Sequence, residues 1–525
     1  MSKNVPIQAF NTGGLNTSTM DIYFEQYGQL NIRQRWGSPS QKINSITYDS
    51  RNAGPQSVFV CMGGENHDGH TFLEEAIAKG AAVLAGENAA ILEEFSEKFP
   101  QLTFLQTEDA RAFLAQLSII FHGRIHEKIH TVGITGTNGK TTVAAFVKSL
   151  MTALGIPSGS IGTNGVLSSK GPVSFVQSTP TTPEASDLHA IFADFAKRGD
   201  QLAAMEVSSV AIEQQRTAGI NFDVAIHTNL SPEHLEFHKT FENYKQAKLK
   251  LFRQAKRAVV NLDDEGMGAD IIKDFQGSLL TYSLKKDSAA DVKASNIRVT
   301  NDGTSFELKL GNDSYIVRTP VFGSYNVANL LSAICTAMHL GFTIGQIIEA
   351  LPRVENPSGR FEVLKEFGRR KIIIDYAHTP VALKSLLKEA KKLPHKRLIV
   401  MITGIGIRDK EKMPQMAKAV ENQADQVIVS VDHPGFLDPW EVVGHVMKGF
   451  SKPHAGNILQ EPTRRDGVLA ALSVSDEDDL ILLTSGCING AQIVKGEKIP
   501  HSDKEIIQEF FRNFEESEEL ERFEA

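Results

Sequence analysis

Short apolar runs that stop abruptly at polar residues recur along this chain, with helical patterns between them. In the middle of the sequence the runs are 131–134, 201–206, 223–228 and 257–261, and a second set beginning near Glu355 comprises 371–375, 397–403, 426–431 and 479–484. Runs this short and this uniformly apolar predict strands buried on both faces of parallel sheets. The intervening stretch 143–154 repeats its apolar residues at helical spacing. Nearer the start, β-rich runs from about Lys42 to Gly86 surround a helical pattern at 72–80 and a strand at 81–85, and this small α/β segment closes near Lys128. The pattern predicts an α/β protein of three domains, 1–128, 129–354 and 355–525, the last two built on nucleotide-type sheets whose strand ends are the places for ligands.

The overall composition narrows the function classes. With 525 residues, the chain exceeds what one hydrophobic core accommodates. A formal charge of −8, with basic residues scattered, argues against a nucleic-acid binder driven by phosphate neutralisation. The three cysteines Cys61, Cys335 and Cys487 are far apart and form no Cys-x-x-Cys pair, which excludes a disulfide scaffold and a structural zinc site and predicts free thiols. No run approaches the length of a membrane span and Met1–Pro6 has no signal-peptide core, so a cytoplasmic location without membrane association is expected. The Glu-rich end, 514–525, reads as a solvated helical tail.

Candidate chemistry concentrates between 131 and 142. Gly136, Thr137, Asn138, Gly139, Lys140, Thr141 and Thr142 form a glycine-rich turn between a strand and a helix. Backbone N–H groups and the positive end of a helix can ring phosphate oxygens there, with Lys140 reaching the terminal phosphates and Thr141 holding Mg²⁺. The loop is a variant, because Ile134 stands where the generic pattern has glycine. Glu206 ends an apolar strand and is a second candidate Mg²⁺ ligand. His234 lies in a loop-to-helix turn after the next strand, where a histidine is more often structural than a ligand to an oxygen-seeking ion. Lys245, Lys248 and Lys250 cannot share one helical face, and spacing alone selects none of them.

An ordered set of motifs then resembles the Mur ligases, the ATP-dependent amide-forming enzymes of peptidoglycan synthesis, and within them the MurE type that adds the third peptide residue. The carriers are 47–51, Asp68-Gly69-His70, the phosphate loop, Thr181-Thr182-Pro183, 205–209, 229–234, 244–252, 323–329, 359–362, 375–380 and Arg408-Asp409-Lys410. The resemblance implies a small N-terminal UDP-binding domain, a central P-loop ATPase domain and a C-terminal Rossmann-like domain. It implies ATP and Mg²⁺, with Thr141, Glu206, His234 and a CO₂-carbamylated Lys248 around metal, and Lys140, Glu206, His234 and Lys248 as catalytic groups. Asn326, Arg360, Asp375 and His378 match positions around ATP. Tyr48, Ser50, Glu65, Asn66, His67, Thr181, Thr182, Ser208, Gln214 and Arg216 match the pocket for a UDP-N-acetylmuramoyl-peptide. A monomer is expected.

The resemblance departs where the family selects its amino acid, the segments that hold Arg408, Asp432, His433, Gly435, Ser485 and Asn489. Enzymes that add diaminopimelate read Asp-Asn-Pro-Arg and Gly-Lys-Gly-His-Glu; here the stretches are Asp432-His433-Pro434-Gly435 and Ser485-Gly486-Cys487-Ile488-Asn489. A bidentate arginine and a carboxylate are both missing, each charged hydrogen bond being worth on the order of 1.5–3 kcal/mol. Val210 also replaces a family histidine. The expected activity is ligation of an amino acid other than meso-diaminopimelate to a UDP-linked muramoyl peptide. The alternatives are the same chemistry in a specialised or non-murein pathway, and a non-catalytic binding paralogue, which would be expected to lose Lys140, Glu206, His234 or Lys248.

Overall fold

The computed structural model describes residues 19–64, 68–175, 179, 181–300, 302–364, 367, 369–407, 410–485 and 490–524, the last helix with side chains to 513. They form two compact units. One holds the chain up to Lys293 together with Lys309–Asp313 and Asn329–Ala350, the other Ala294–Leu308, Ser314–Ala328 and the chain from Leu351.

Two larger sheets organise the first unit, beside a two-stranded pair described below. Its N-terminal sheet runs in the order Ile32–Trp36, Thr103–Thr107, Val83–Gly86, Ser57–Val60, Ser45–Thr47, antiparallel only at the first pair. The larger sheet has seven successive parallel strands, Ser158–Gly162, Leu202–Glu206, His130–Thr135, Val224–His227, Arg257–Asn261, Ser278–Ser283 and Val292–Thr300. Leu202–Glu206 and Val224–His227 are buried at every position, as their uninterrupted apolar sequence requires. Helices Lys140–Ala153 and Ala185–Arg198 close over this sheet, the second through Leu188, Phe192 and Phe195. The expected boundary at 128 falls between the two sheets of this one unit. Compactness does not separate them, because Ala185, in the larger sheet's helix, packs into the N-terminal core with Ala110 and Phe113.

The second unit is built on a six-stranded sheet ordered Glu362–Leu364, Lys371–Asp375, Leu480–Thr484, Leu398–Ile405, Gln426–Asp432, Ile458–Gln460, parallel except at the first pair. Helices Pro380–Ala390, Lys412–Val420 and Pro439–Met447 bury one set of residues against it, and Arg464–Ser473 and Asp503–Glu524 another. After the last sheet strand, Ala491–Val494 and Glu497–Pro500 form a separate antiparallel hairpin.

The strands predicted in both tandem sheets are present, with ends displaced by a residue or two. The alternating strands Val292–Thr300, Gly303–Leu310 and Asp313–Thr319, and the pair Met20–Tyr23 with Ser40–Ile43, were not marked by the apolar-run criterion. Their polar outward faces interrupt every run.

Candidate functional site: a phosphate loop and its surroundings

Strand His130–Thr135 runs directly into the glycine-rich loop, and helix Lys140–Ala153 starts immediately after Gly139. Gly136 and Gly139 both have positive φ, 153° and 87°. A Cβ on Gly136 would overlap the Thr228 hydroxyl, and one on Gly139 would lie 2.8 Å from Asn329 Oδ1, so this backbone path excludes side chains. A second turn grips the loop. The amide of Asn138 donates to Asn229 Oδ1 at 2.9 Å while Asn229 Nδ2 donates to the Asn138 carbonyl at 3.0 Å, and the Thr137 amide donates to the Asn229 carbonyl at 2.8 Å. Thr228 Oγ1 adds a bond to the same Asn138 carbonyl at 2.6 Å. The motif 229–234 therefore includes a structural support that motif matching alone did not reveal.

Two lysines converge on one carbonyl. Lys140 Nζ donates to Gly136 O at 2.8 Å and to Thr137 O at 2.9 Å, and Lys248 Nζ reaches the same Gly136 O at 2.9 Å. Lys248 is 1% exposed and lies 4.6 Å from the centre of the Tyr244 ring. Burial, reinforced by the Lys140 charge, pushes its pKa well below the usual lysine range. Burial likewise pushes the Tyr244 phenol up to about 12, and its hydroxyl sits 3.2 Å from Thr137 Oγ1. So the structure selects Lys248 where spacing did not: it is buried at the loop, whereas Lys245 pairs with Glu242 and Asp270 and Lys250 with Glu213.

Glu206 is 1% exposed at the end of its strand and accepts the Thr163 amide at 2.8 Å. His234 is half-exposed in the left-handed conformation at φ 56°, with Glu233 and Glu236 carboxylates 3.8 and 3.5 Å from its ring. Among the described residues no three or more His, Cys, Asp or Glu side chains form a ready-made metal cage. The Glu206 carboxylate and the Thr141 hydroxyl are oxygen ligands of the kind Mg²⁺ takes together with phosphate oxygens and water.

Beside Glu206 lies a tight polar cluster. Thr182 Oγ1 donates to the Glu206 carbonyl at 3.0 Å and accepts the Ser208 amide at 3.1 Å. Arg216 donates through Nη1 to the Thr182 carbonyl at 2.8 Å and through Nη2 to Gln214 Oε1 at 2.5 Å. Thr182, Ser208, Gln214 and Arg216 are thus brought together, and Thr181, at φ 65°, joins through Thr163. Glu184 was not singled out from the sequence. It pairs with Arg216 Nε at 2.9 Å and lies 3.7 Å from Arg111, and burial pushes its carboxyl upward against both cations. Tyr48 bonds Asp187 at 3.2 Å. Ser50 is turned to Glu75 at 2.7 Å, so its hydroxyl proton is committed within the protein. Glu65, Asn66 and His67 lie outside the described residues.

In the second unit Asp375 is buried at the end of its strand, accepting the amides of Phe361 at 2.7 Å and Ala377 at 2.8 Å. Burial raises its pKa, opposed by Arg360. The Arg360 guanidinium lies 5.0 Å from the centre of the Tyr376 ring, and the His378 ring is 4.7 Å from the same ring. Asn326 is buried and donates to the Phe322 carbonyl at 2.9 Å. Around Asp432 the chain turns through two left-handed residues, His433 at φ 48° and Gly435 at φ 63°. His433 accepts the Ile493 amide on Nδ1 at 2.9 Å, so that ring nitrogen is not available to a ligand. Ser485, also left-handed at φ 59°, donates to the Ala377 carbonyl at 3.2 Å. Arg408 and Asn489 lie outside the described residues.

A glycine loop at a parallel strand's end, a lysine folded onto it and a helix behind it define a P-loop-type enzyme of nucleotide triphosphates. Family models match in three stretches: the Mur ligase family catalytic domain at 42–122, the Mur ligase middle domain at 134–337 and the Mur ligase glutamate ligase domain at 359–487. The chain belongs to the Mur ligase family, and it is an ATP-dependent acid–amino acid ligase using ATP and Mg²⁺. It is 35% identical to the UDP-N-acetylmuramoyl-L-alanyl-D-glutamate–2,6-diaminopimelate ligase of Clostridium perfringens, covering 90% of this chain and 95% of that one. The enzyme of the same name from Geobacillus kaustophilus is 34% identical, over 90% and 94% of the two chains. A solved structure of a ligase of that name superposes with a TM-score of 0.67 at 26% identity, covering 94% of this chain and all 100% of the other. The ADP complex of MurF from Thermotoga maritima shares the fold, with a TM-score of 0.60 at 18% identity, over 90% and 98% of the chains.

Proposed function

We propose that this ligase joins an amino acid other than meso-diaminopimelate to UDP-N-acetylmuramoyl-L-alanyl-D-glutamate. The observation that carries the specificity is Gly435. A Cβ there would lie 2.6 Å from Ile407 Cγ2, on a backbone at φ +63°, so the position has neither the space nor the conformation for a carboxylate-clamping arginine. Asn489, standing where the family has glutamate, supports the same reading from the sequence. The relatives named above are diaminopimelate ligases, and the proposal separates this chain from them at that one step.

ATP supplies the phosphoryl group and Mg²⁺ offsets the crowded phosphate charge. The acceptor carboxylate attacks the γ-phosphorus and ADP leaves; the incoming amine then attacks the acyl carbon, and phosphate departs with the C–N bond formed. In this reading Lys140 exchanges its loop carbonyls for phosphate oxygens, and the helix N-terminus behind Gly139 adds its positive end. Burial disfavours the ammonium form of Lys248, so its amine would add to CO₂, forming the N–C bond and releasing a proton to solvent; the resulting carbamate, with Thr141, Glu206 and His234, would hold the metal that offsets phosphate charge. Thr182, Ser208, Gln214 and Arg216 hold the acceptor peptide, with Glu184 fixing the guanidinium. Asn326, Arg360, Asp375 and His378 serve the nucleotide.

The test is phosphate release from ATP with the UDP-dipeptide and a pool of the protein amino acids plus meso-diaminopimelate, followed by mass spectrometry of the product. A product mass other than that of the diaminopimelate adduct is expected. Preferential formation of the diaminopimelate adduct would refute the specificity, and no amino-acid-dependent turnover would refute the acceptor.

A further inference from the structure

The hairpin of Ala491–Val494 and Glu497–Pro500 is half-exposed to exposed throughout, and beyond its own ladder its strands make one further β-bridge, between Val494 and Gly435. An isolated two-stranded hairpin is marginal in water, so its position depends on what it grips. Its first strand grips the loop after Gln426–Asp432. The Gly435 amide donates to the Ile493 carbonyl at 3.1 Å, the Lys495 amide to the Gly435 carbonyl at 2.7 Å and the Ile493 amide to His433 Nδ1 at 2.9 Å. Gln492 Nε2 donates to Asp432 Oδ1 at 2.9 Å. These bonds over-determine two left-handed residues, His433 and Gly435, the condition under which a strained backbone persists.

The other end of the hairpin is tied just as firmly. The His501 amide donates to the Gly490 carbonyl at 2.9 Å, closing the hairpin's base, and His501 Nε2 lies 2.8 Å from Asp503 Oδ1. Asp503 forms a two-pronged, fully buried pair with Arg464 at 2.9 and 2.6 Å, and Arg464 Nη1 donates to the Thr484 carbonyl at 3.0 Å. Thr484 and Gly490 are thereby held in one network, and the second selectivity stretch begins and ends between them.

We infer that this hairpin is a brace that sets the loop at Asp432–Gly435 and the ends of the stretch from Ser485 to Gly490 in one fixed geometry, with Gln492 and His501 as positioning residues for amino-acid recognition. The recognition role rests on the proposed function; the mechanical coupling does not. Gln492 is only half-buried and outside both cores, so Gln492→Leu leaves the fold in place while cutting the Asp432 bond. With ATP, the UDP-dipeptide and the amino acid that the parent enzyme uses best from the pool, Q492L should raise KM for the amino acid about tenfold and keep KM for ATP within twofold. Hydrogen exchange of the full-length variant should speed up at 432–437 and also at Thr484, Ser485 and Gly490, with His501→Asn giving the same two-segment response. A parallel rise of both KM values, or exchange confined to the segment beside each substitution, would overturn the brace. Should the parent show no amino-acid-dependent turnover, the proposed function fails and the exchange result alone decides the coupling.

Discussion

At the scale of single residues, the Gly136 carbonyl is the most informative atom, since two lysine side chains meet on it. Lys140 is the one exposed enough to leave it for a phosphate. Lys140→Ala should lower kcat/KM on the order of 10²–10³-fold or more with an unchanged thermal midpoint; a folded variant with near-normal product formation would remove Lys140 from the chemistry. Lys248→Ala should be nearly inactive and recover in part with added short carboxylates that occupy the carbamate's place, as read by phosphate release. Gly435→Arg meets a left-handed backbone and the Ile407 methyl, so it should cost about 1–3 kcal/mol of stability and gain no diaminopimelate activity. Adding Ile407→Ala with Asn489→Glu makes room for the side chain, and the ratio of kcat/KM for the two amino acids then measures any shift. The phosphate loop was legible in the sequence because its glycines, lysine and threonine are contiguous. Glu184 and Asn229's grip on Asn138 were not, because the partners they serve are distant in sequence and no local pattern reports them.

At the scale of elements, buried parallel strands announced themselves through uninterrupted apolar runs. The meander from Val292 to Thr319 and the brace hairpin did not, since half of each strand faces water. Element packing also has a consequence for pH. His122 follows helix Ala110–Phe121, His126 lies in the turn Ile125–Glu127, and His189 sits on helix Ala185–Arg198, with the His126 and His189 rings 5.2 Å apart. Burial lowers all three, His122 to about 4 from an ordinary 6.5, with Glu127 opposing the shift at His126. Above pH 6.5 these imidazoles are neutral in both folded and unfolded chains. As pH falls from about 6.5 toward 4 the unfolded chain takes up protons that the folded one refuses, so stability is lost across that window. His122→Leu should flatten the acid side of the midpoint-versus-pH curve, by roughly 2–3 kcal/mol at pH 4. Parallel curves for parent and variant would contradict it.

At the scale of the whole molecule, two units with separate cores predict unfolding that is not a single two-state transition. The phosphate loop, Glu206 and Lys248 all belong to the first unit. ATP with Mg²⁺ at a hundred times its Kd should stabilise whichever transition carries the phosphate loop by about 2.7 kcal/mol, visible in calorimetry and absent in Lys140→Ala. The sequence predicted three domains from three runs of alternating elements. Three family models match in succession along the chain, while contacts group the first two sheets into one compact unit because Ala185 carries one core into the next.

The burial of Lys248 has one more consequence. An amine whose charged form burial disfavours, sealed against a carbonyl and an aromatic ring, is in the proposed function a trap for a dissolved gas, and such a carbamate would persist only while that gas is supplied. In the proposed site the fraction of molecules competent to hold metal through Lys248 would then track inorganic carbon in the surrounding fluid. Preparations stripped of bicarbonate would be slow until it is restored.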